Sequence, residues 1–174
     1  AHEAVKKVSE IKEKNELVKN QLTASLDDLS EENLDKILKK SNLTLDHFIT
    51  GAKSAFEMIL KAFSENDLTI LKQLLSNKIY LGFEKSIQHR QNLGQKLVTN
   101  LIAIKNVEIS KVDISGNDAI IKINFTSKQI NYIKDQNGNV IDGSKEDINE
   151  LTDVWTFKKD LTSENPNWII FSTN

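Results

Sequence analysis

The 174-residue sequence has no cysteine, one proline (Pro166) and only six glycines. Without cysteine there is no disulfide, no thiolate nucleophile and no Cys-ligated metal, although the compartment stays open. A single proline and scattered glycines leave no flexible linker and no glycine loop to cradle a phosphate. No apolar run approaches the roughly 20 residues of a membrane-spanning helix, and no signal peptide is visible. The formal net charge is −2 and the pI is near 6.0, so no bulk positive charge points to nucleic acid as a partner. The sequence begins at Ala1 rather than at methionine, which we read as processing, with an anchor removed upstream. What is present is 39% hydrophobic and 28% charged, ordinary for a globular chain and long enough to bury a core.

The hydrophobic period divides the chain into a helical part up to about Leu97 and an antiparallel sheet beyond it. Residues 3–22 read as a helix whose Ala4, Val8, Ile11, Val18 and Leu22 recur every three or four positions, with Asn15 inside the stripe. That is a narrow apolar seam. The opposite face is read as carrying Lys6, Lys7, Glu13 and Lys14. So thin a seam is marginal alone and needs a partner: its own domain, a neighbouring copy, another protein or a membrane surface. Residues 24–43 are polar and broken, with Ser30 as a cap and Leu34, Ile37 and Leu38 in a short helix. A boundary near Asn42 separates a helical arm, 1–42, from a domain, 43–174.

The strongest helical pattern is Phe48, Ala52, Ala55, Phe56, Ile59 and Phe63, capped by Thr44 or Asp46. Asn66 and Asp67 end it and start a helix with Leu68, Leu71, Leu74 and Leu75. Ser76 or Asn77 opens a third, with Ile79, Phe83 and Ile87 inward and Gly94 near its end. Beyond Leu97 the period becomes two. A slip between Val107/Ile109 and Val112/Ile114 predicts a bulge near Ser110. Ser115-Gly116-Asn117-Asp118 predicts a hairpin turn, and Ala119, Ile121, Ile123 and Phe125 one face of a long strand. Asn137-Gly138 marks a further turn. Residues 151–159 and 167–173 are the last strands, with Leu151, Asp153, Trp155 and Phe157 on one face. Helices first and strands later predict an α+β fold, with the N-terminal helices packed on one face of a curved antiparallel sheet.

Few residues carry chemistry. Asp135, Asn137, Asn139 and Glu146 echo a calcium loop, but Val140 stands where glycine is required, so a hairpin is expected. His2, His47 and His89 lack metal-ligand spacing, and no metal or cofactor is expected. Asn42-Leu43-Thr44 and Asn124-Phe125-Thr126 match the glycosylation triplet without a secretory context. Asp153 shares a strand face with Trp155 and Phe157. Burial there would raise its pKa toward that of a general base, yet the sequence offers no nucleophile or second acid beside it. The bland alternative is a carboxylate satisfied by backbone or by Arg90.

The run Phe48-Ile49-Thr50-Gly51-Ala52-Lys53-Ser54-Ala55-Phe56-Glu57, then Ala62-Phe63 and Asp67, resembles the opening of the Tim44-like domain family. The resemblance continues through Leu74-Leu75, Tyr80, Phe83, Arg90 and Gly94. It closes on Asp153-Val154-Trp155-Thr156-Phe157, Lys159-Asp160, Pro166-Asn167-Trp168 and Thr173. It spans roughly Asp46 to Thr173. Family members often carry Arg where Lys159 stands, and the segment before Asn42 matches nothing residue by residue.

The resemblance implies a cone-like α+β fold of the nuclear-transport-factor and ketosteroid-isomerase kind, with an apolar hollow. Here the hollow would be lined by Phe56, Phe83, Ile87, Ile123, Phe125, Asp153, Trp155, Phe157 and Trp168, and could hold a lipid tail, a hydrophobic peptide or nothing. It also implies a bacterial, alphaproteobacterial relative of the mitochondrial inner-membrane translocase subunit. That relative would be a non-enzymatic scaffold, peripheral on the inner membrane, with the cytoplasmic side favoured by descent. Its partners would be phospholipid, cardiolipin among them, or a membrane protein complex. The residues of the segment 1–22 that would meet lipid or partner are Lys6, Lys7, Val8, Ile11, Lys14, Val18 and Leu22. Two alternatives stand beside this: a homo-oligomer formed through residues 1–22, and an isomerase-type enzyme with Asp153 as base.

Overall fold

The computed structural model describes all residues, Ala1–Asn174. Five helices precede five strands: α1 (His2–Leu22), α2 (Asp28–Lys40), α3 (Leu45–Ser64), α4 (Leu68–Leu74), α5 (Asn77–Asn92), β1 (Lys96–Ser115), β2 (Asp118–Lys134), β3 (Val140–Gly143), β4 (Asn149–Asp160) and β5 (Ile169–Thr173). The strands form one antiparallel sheet in the order β1-β2-β4-β5, with β3 paired to β2. The α+β arrangement of helices on a curved open sheet is the expected one.

Local chemistry explains the helix ends. Thr44, Asp67 and Ser76 each accept the backbone N–H three residues on, capping α3, α4 and α5. Asn66 takes the left-handed conformation, φ 59°, between α3 and α4, and Gly94 takes it after α5, φ 65°. Ser30 does not cap α2. Asp27 does so, accepting from Ser30 N at 2.8 Å, which frees the Ser30 hydroxyl for the sheet.

The 20-residue strand β1 is bent by three register shifts, at Leu101/Ala103, Ile104/Asn106 and Ile109/Lys111. The last is the bulge expected near Ser110, and β1 starts well before the alternation was visible. Gly116-Asn117 form the tight turn to β2. Asp135 closes the β2–β3 turn, its carboxylate accepting from Asn137 N and Asn139 N. β5 starts at Ile169 rather than 167 because Asn167 N is turned back onto the Asn165 side chain, at 3.0 Å.

The inner sheet face is Ala119, Ile121, Ile123 and Phe125 on β2 with Trp155 and Phe157 on β4, all buried. Phe48, Ala52, Phe56, Ile59 and Ala62 of α3 pack against it. Phe56 stacks on Phe125, centroids 4.5 Å apart and planes at 21°, and meets Trp155 at 4.8 Å. Leu34 and Ile37 of α2 belong to the same core. α2 thus packs with the segment that the sequence reading began at residue 43.

Side chains also close the outer edge of β1. Ser25 Oγ donates to Ile109 O, and Asn33 Nδ2 to Val112 O at 3.1 Å. Ser30 Oγ accepts from Val112 N at 3.2 Å. Ser64, in the last position of α3, donates to Leu97 O and accepts from Thr99 N. Ser30 and Ser64 are buried and look like misplaced polar residues in the sequence, but each satisfies strand backbone that would otherwise be unpaired.

Candidate functional site

The hollow expected between helices and sheet is filled. Phe56, Ile87, Ile123, Phe125, Trp155 and Phe157 are buried against one another. Phe83 is half-buried and packs on Phe63 at 4.9 Å. The inward alternation of β2 continues past Phe125 into Ser127, Gln129 and Asn131. There Thr99 Oγ1 donates to Asn131 Oδ1 at 2.7 Å, Asn131 Nδ2 to Gln129 Oε1 at 3.0 Å, and Gln129 Nε2 to Ser127 Oγ at 2.8 Å. The chain of bonds makes burial of Ser127 and Gln129 tolerable. It was missed because the period-two pattern was followed only in apolar residues.

Open space lies beside the core rather than within it. A cleft of about 510 Å³ sits between the first half of α3, the end of α4 and the segment before β5. Leu43, Phe48, Met58, Leu74, Phe157 and Trp168 make its apolar wall. His47, Ser54, Gln73 and Asn167 add the polar groups, and none of the 14 lining residues is Asp, Glu, Lys or Arg. Of the residues anticipated for a pocket, Phe157 and Trp168 line this cleft. Leu43, Met58 and Gln73 had no distinguishing signal, Leu74 was marked only as part of an apolar helix stripe, and Pro166, the sole proline, marked the segment that borders the cleft. Phe48 and Trp168 meet edge-on at 5.0 Å. The Trp168 Nε1–H is buried and has no acceptor within the protein.

Asp153 is not a wall of this cleft. It is half-buried on the inner-face register of β4, opposite Phe125, and forms no ion pair. Burial pushes its carboxyl above the ordinary range. Arg90, weighed as its partner, instead donates to Phe63 O at 3.1 Å and lies over the Phe63 ring at 4.4 Å. Because the folded state raises this pKa, Asp153 favours folding fully below the ordinary carboxylate value, and that contribution is lost as pH rises through the folded value. Asp153→Asn is therefore expected to melt above the wild type at pH 7, with the gap closing as pH falls to about 3, below the ordinary Asp pKa. Equal melting temperatures at pH 7 would show that burial there costs nothing. No group of three His, Asp or Glu gathers where a metal could be held.

The second exposed feature is α1. Val8, Ile11 and Val18 are 52%, 56% and 39% exposed, and only Leu22, at the helix end, is buried. Lys6, Lys7 and Lys14 are exposed as well. At about 100° per residue, Lys7 and Lys14 border the seam along one side rather than opposing it, and Lys12 and Lys19 border the other. Glu3, Glu10, Glu13, Glu16 and Lys6 lie further round, and Val5 and Leu17 are off the seam. No helix is long and apolar enough to cross a membrane.

These features define a class: an α+β domain with helices laid on one face of a curved sheet, a lateral apolar cleft and an exposed N-terminal helix. The chain belongs to the Tim44-like domain family, whose sequence profile matches residues 37–174. It is similar to the mitochondrial import inner membrane translocase subunit TIM44 of Mus musculus, 25% identical over 122 residues, covering 70% of this chain and 27% of that protein. With subunit TIM44-1 of Arabidopsis thaliana the identity is 24% over 123 residues, 71% of this chain and 26% of that protein. With the uncharacterized protein RP434 of Rickettsia prowazekii it is 28% over 123 residues, 71% and 49%. The matched part is thus about a quarter of the mitochondrial relatives and about half of the Rickettsia protein. Among solved structures, the intermembrane space region of chloroplast protein ARC6 aligns with a TM-score of 0.49 at 14% identity, covering 71% of this chain and 92% of that one. A nuclear transport factor 2-like protein from Salmonella enterica aligns with a TM-score of 0.38 at 13% identity, covering 70% and 84%.

Proposed function

We propose that this chain is a non-enzymatic, membrane-peripheral scaffold that rests through α1 on the anionic surface of a bacterial inner membrane, on its cytoplasmic side, and there serves a membrane protein complex. The observation that carries this reading is the exposed seam of α1 with lysines along both borders and glutamates beyond them. A helix lying in a lipid interface needs that order: apolar side chains enter the acyl boundary, while bordering lysines extend their stems along it and place their ammonium groups among anionic headgroups. The near-balance of lysine and glutamate over the whole helix conceals this segregation. The translocase relatives, inner-membrane proteins by name, support the inner-membrane part of this reading.

Two α1 helices paired through the same seam would bring lysine against lysine at the flanking positions, which disfavours homotypic assembly. An isomerase-type reading would rest on Asp153, which lies outside the cleft.

The test is co-sedimentation with phosphatidylcholine vesicles containing cardiolipin. The full chain is expected to pellet and a chain beginning at Gln21 to stay in solution. Changing Lys7, Lys12, Lys14 and Lys19 together to Gln should weaken binding by about a thousandfold, at roughly 1 kcal/mol per lysine near an anionic surface. Failure of the full chain to bind, or equal binding without α1, sinks the proposal.

A further inference from the structure

The turn between β2 and β3 has no part in the membrane contact, yet it carries a chemistry of its own. An asparagine side chain loses its amide when the next backbone nitrogen attacks Cγ, and a side chain on that next residue obstructs the approach. Asn137 is the one asparagine in the chain that is followed by glycine. It is exposed. Gly138 stands open, with φ 83° and nothing within 4 Å of the place a Cβ would take, so its backbone can turn through conformations closed to other residues.

The folded turn holds this pair back without sealing it. Gly138 N–H donates to Asp135 O at 3.1 Å, and the Asp135 carboxylate accepts from Asn137 N at 2.9 Å and from Asn139 N at 3.0 Å. Attack therefore waits for the turn to open. At an exposed tip such local opening takes far less than global unfolding.

We propose that Asn137 is a site of spontaneous covalent modification that unhooks β3 from the sheet. Gly138 N bonds to Asn137 Cγ, and the side-chain nitrogen leaves with the Gly138 proton as ammonia. Water then opens the five-membered imide at one of its two carbonyls. Opening at the side-chain carbonyl restores the original main chain with an aspartate. Opening at the backbone carbonyl leaves isoaspartate, which puts one extra CH2 into the main chain.

The hairpin has no slack for that extra length. Asp135 N–H donates to Asn139 O at 2.9 Å, and the register beyond sets Lys134 against Val140 and Ile133 against Asp142. β3 has no strand partner other than β2. Gly143 sits so close to the Asn131 carbonyl that a Cβ would overlap it, and the Gln136 side chain packs beside Gly94 at the end of α5. A lengthened turn disturbs all of these seats, and the new carboxylate stands two residues from that of Asp135.

The test holds the full chain in mildly alkaline buffer and follows it by intact mass and peptide mapping. Asn137 is expected to gain one mass unit ahead of every other asparagine, as a mixture of aspartate and isoaspartate. A peptide spanning 134–140 should react at least about tenfold faster, because three hydrogen bonds hold the folded turn. Asp135→Ala, which removes two of them, should speed the reaction of the folded chain by about tenfold. In a proton–nitrogen NMR spectrum of the isoaspartyl chain, the resonances of Val140–Gly143 and Gly94 should move while the Trp155 indole, in the core, stays in place. Asn137→Asp, which has the same new charge without the extra CH2, should leave β3 paired. An amide that persists at Asn137, another asparagine reacting first, or Asp135→Ala reacting no faster overturns the proposal. So does an isoaspartyl chain whose Val140–Gly143 resonances are unchanged. None of these outcomes depends on vesicle binding through α1.

Discussion

A chain beginning at Leu43 is expected not to fold, whereas one beginning at Gln21 should melt within a few degrees of the full chain. The contrast follows from where each helix puts its apolar side chains. Residues 2–20 of α1 are exposed along their whole length, so their removal uncovers no core, and a start at Gln21 keeps the buried Leu22 and Thr23. Residues 28–40 are different. Leu34 and Ile37 are 3% and 0% exposed, and losing each side chain is worth about 2–5 kcal/mol. Ser30 and Asn33 also hold the Val112 backbone, which would be left without those partners. Against a total stability of about 5–15 kcal/mol for a typical domain, that loss removes most or all of the folded state. Differential scanning calorimetry of the two truncations decides the matter. A chain from Leu43 with a cooperative transition near that of the full chain would place α2 outside the folding unit.

Phe56→Ala is expected to be the most damaging single substitution, costing about 3–5 kcal/mol. Phe56 is fully buried and touches the sheet through both Phe125 and Trp155, at centroid distances of 4.5 and 4.8 Å. Removal of its ring leaves a void where α3 meets β2 and β4, and surrounding rings cannot close it without leaving their rotamers. Urea unfolding should show the midpoint falling with little change in slope. Met58, on the same helix but 43% exposed, should cost less than about 1 kcal/mol when changed to Ala, the usual scale for surface positions. Equal effects at the two positions would mean that the aromatic stack is not the tie between helix and sheet.

The stripe Phe48 to Phe63 and the alternation Ala119 to Phe125 were legible because each repeats the period of its element with one residue class. Turns and caps were legible where chemistry is local: Thr44, Asp67, Ser76 and Gly116 act on backbone within three residues. Ser30 misled because its partner is the Val112 backbone, 82 residues away. Nothing local separates a helix-capping hydroxyl from one that closes a strand edge. The inward direction of Phe56, Phe125 and Trp155 could be read, but whether inward rings leave a hollow or fill it depends on the distance between layers, which the periodicity does not contain. The cleft was illegible for a related reason: Leu43, Met58, Gln73 and Trp168 come from separate segments and share no spacing. On α1 the residue types are readable, but the seam and its flanks separate only by angle: at about 100° per residue Lys7 and Lys14 lie beside the seam rather than opposite it.

The serine and asparagine contacts along β1 have a consequence for crowding. A scaffold gathered on a surface meets its own copies at high local concentration, where an open strand edge recruits a neighbour's strand. On β1 that edge is occupied by Ser64 at Leu97 and Thr99, and by Ser25, Ser30 and Asn33 at Ile109 and Val112. Two bulges interrupt the stretch between. The longest strand in the molecule is therefore a poor template, and copies can accumulate side by side as separate bodies instead of annealing into a shared sheet.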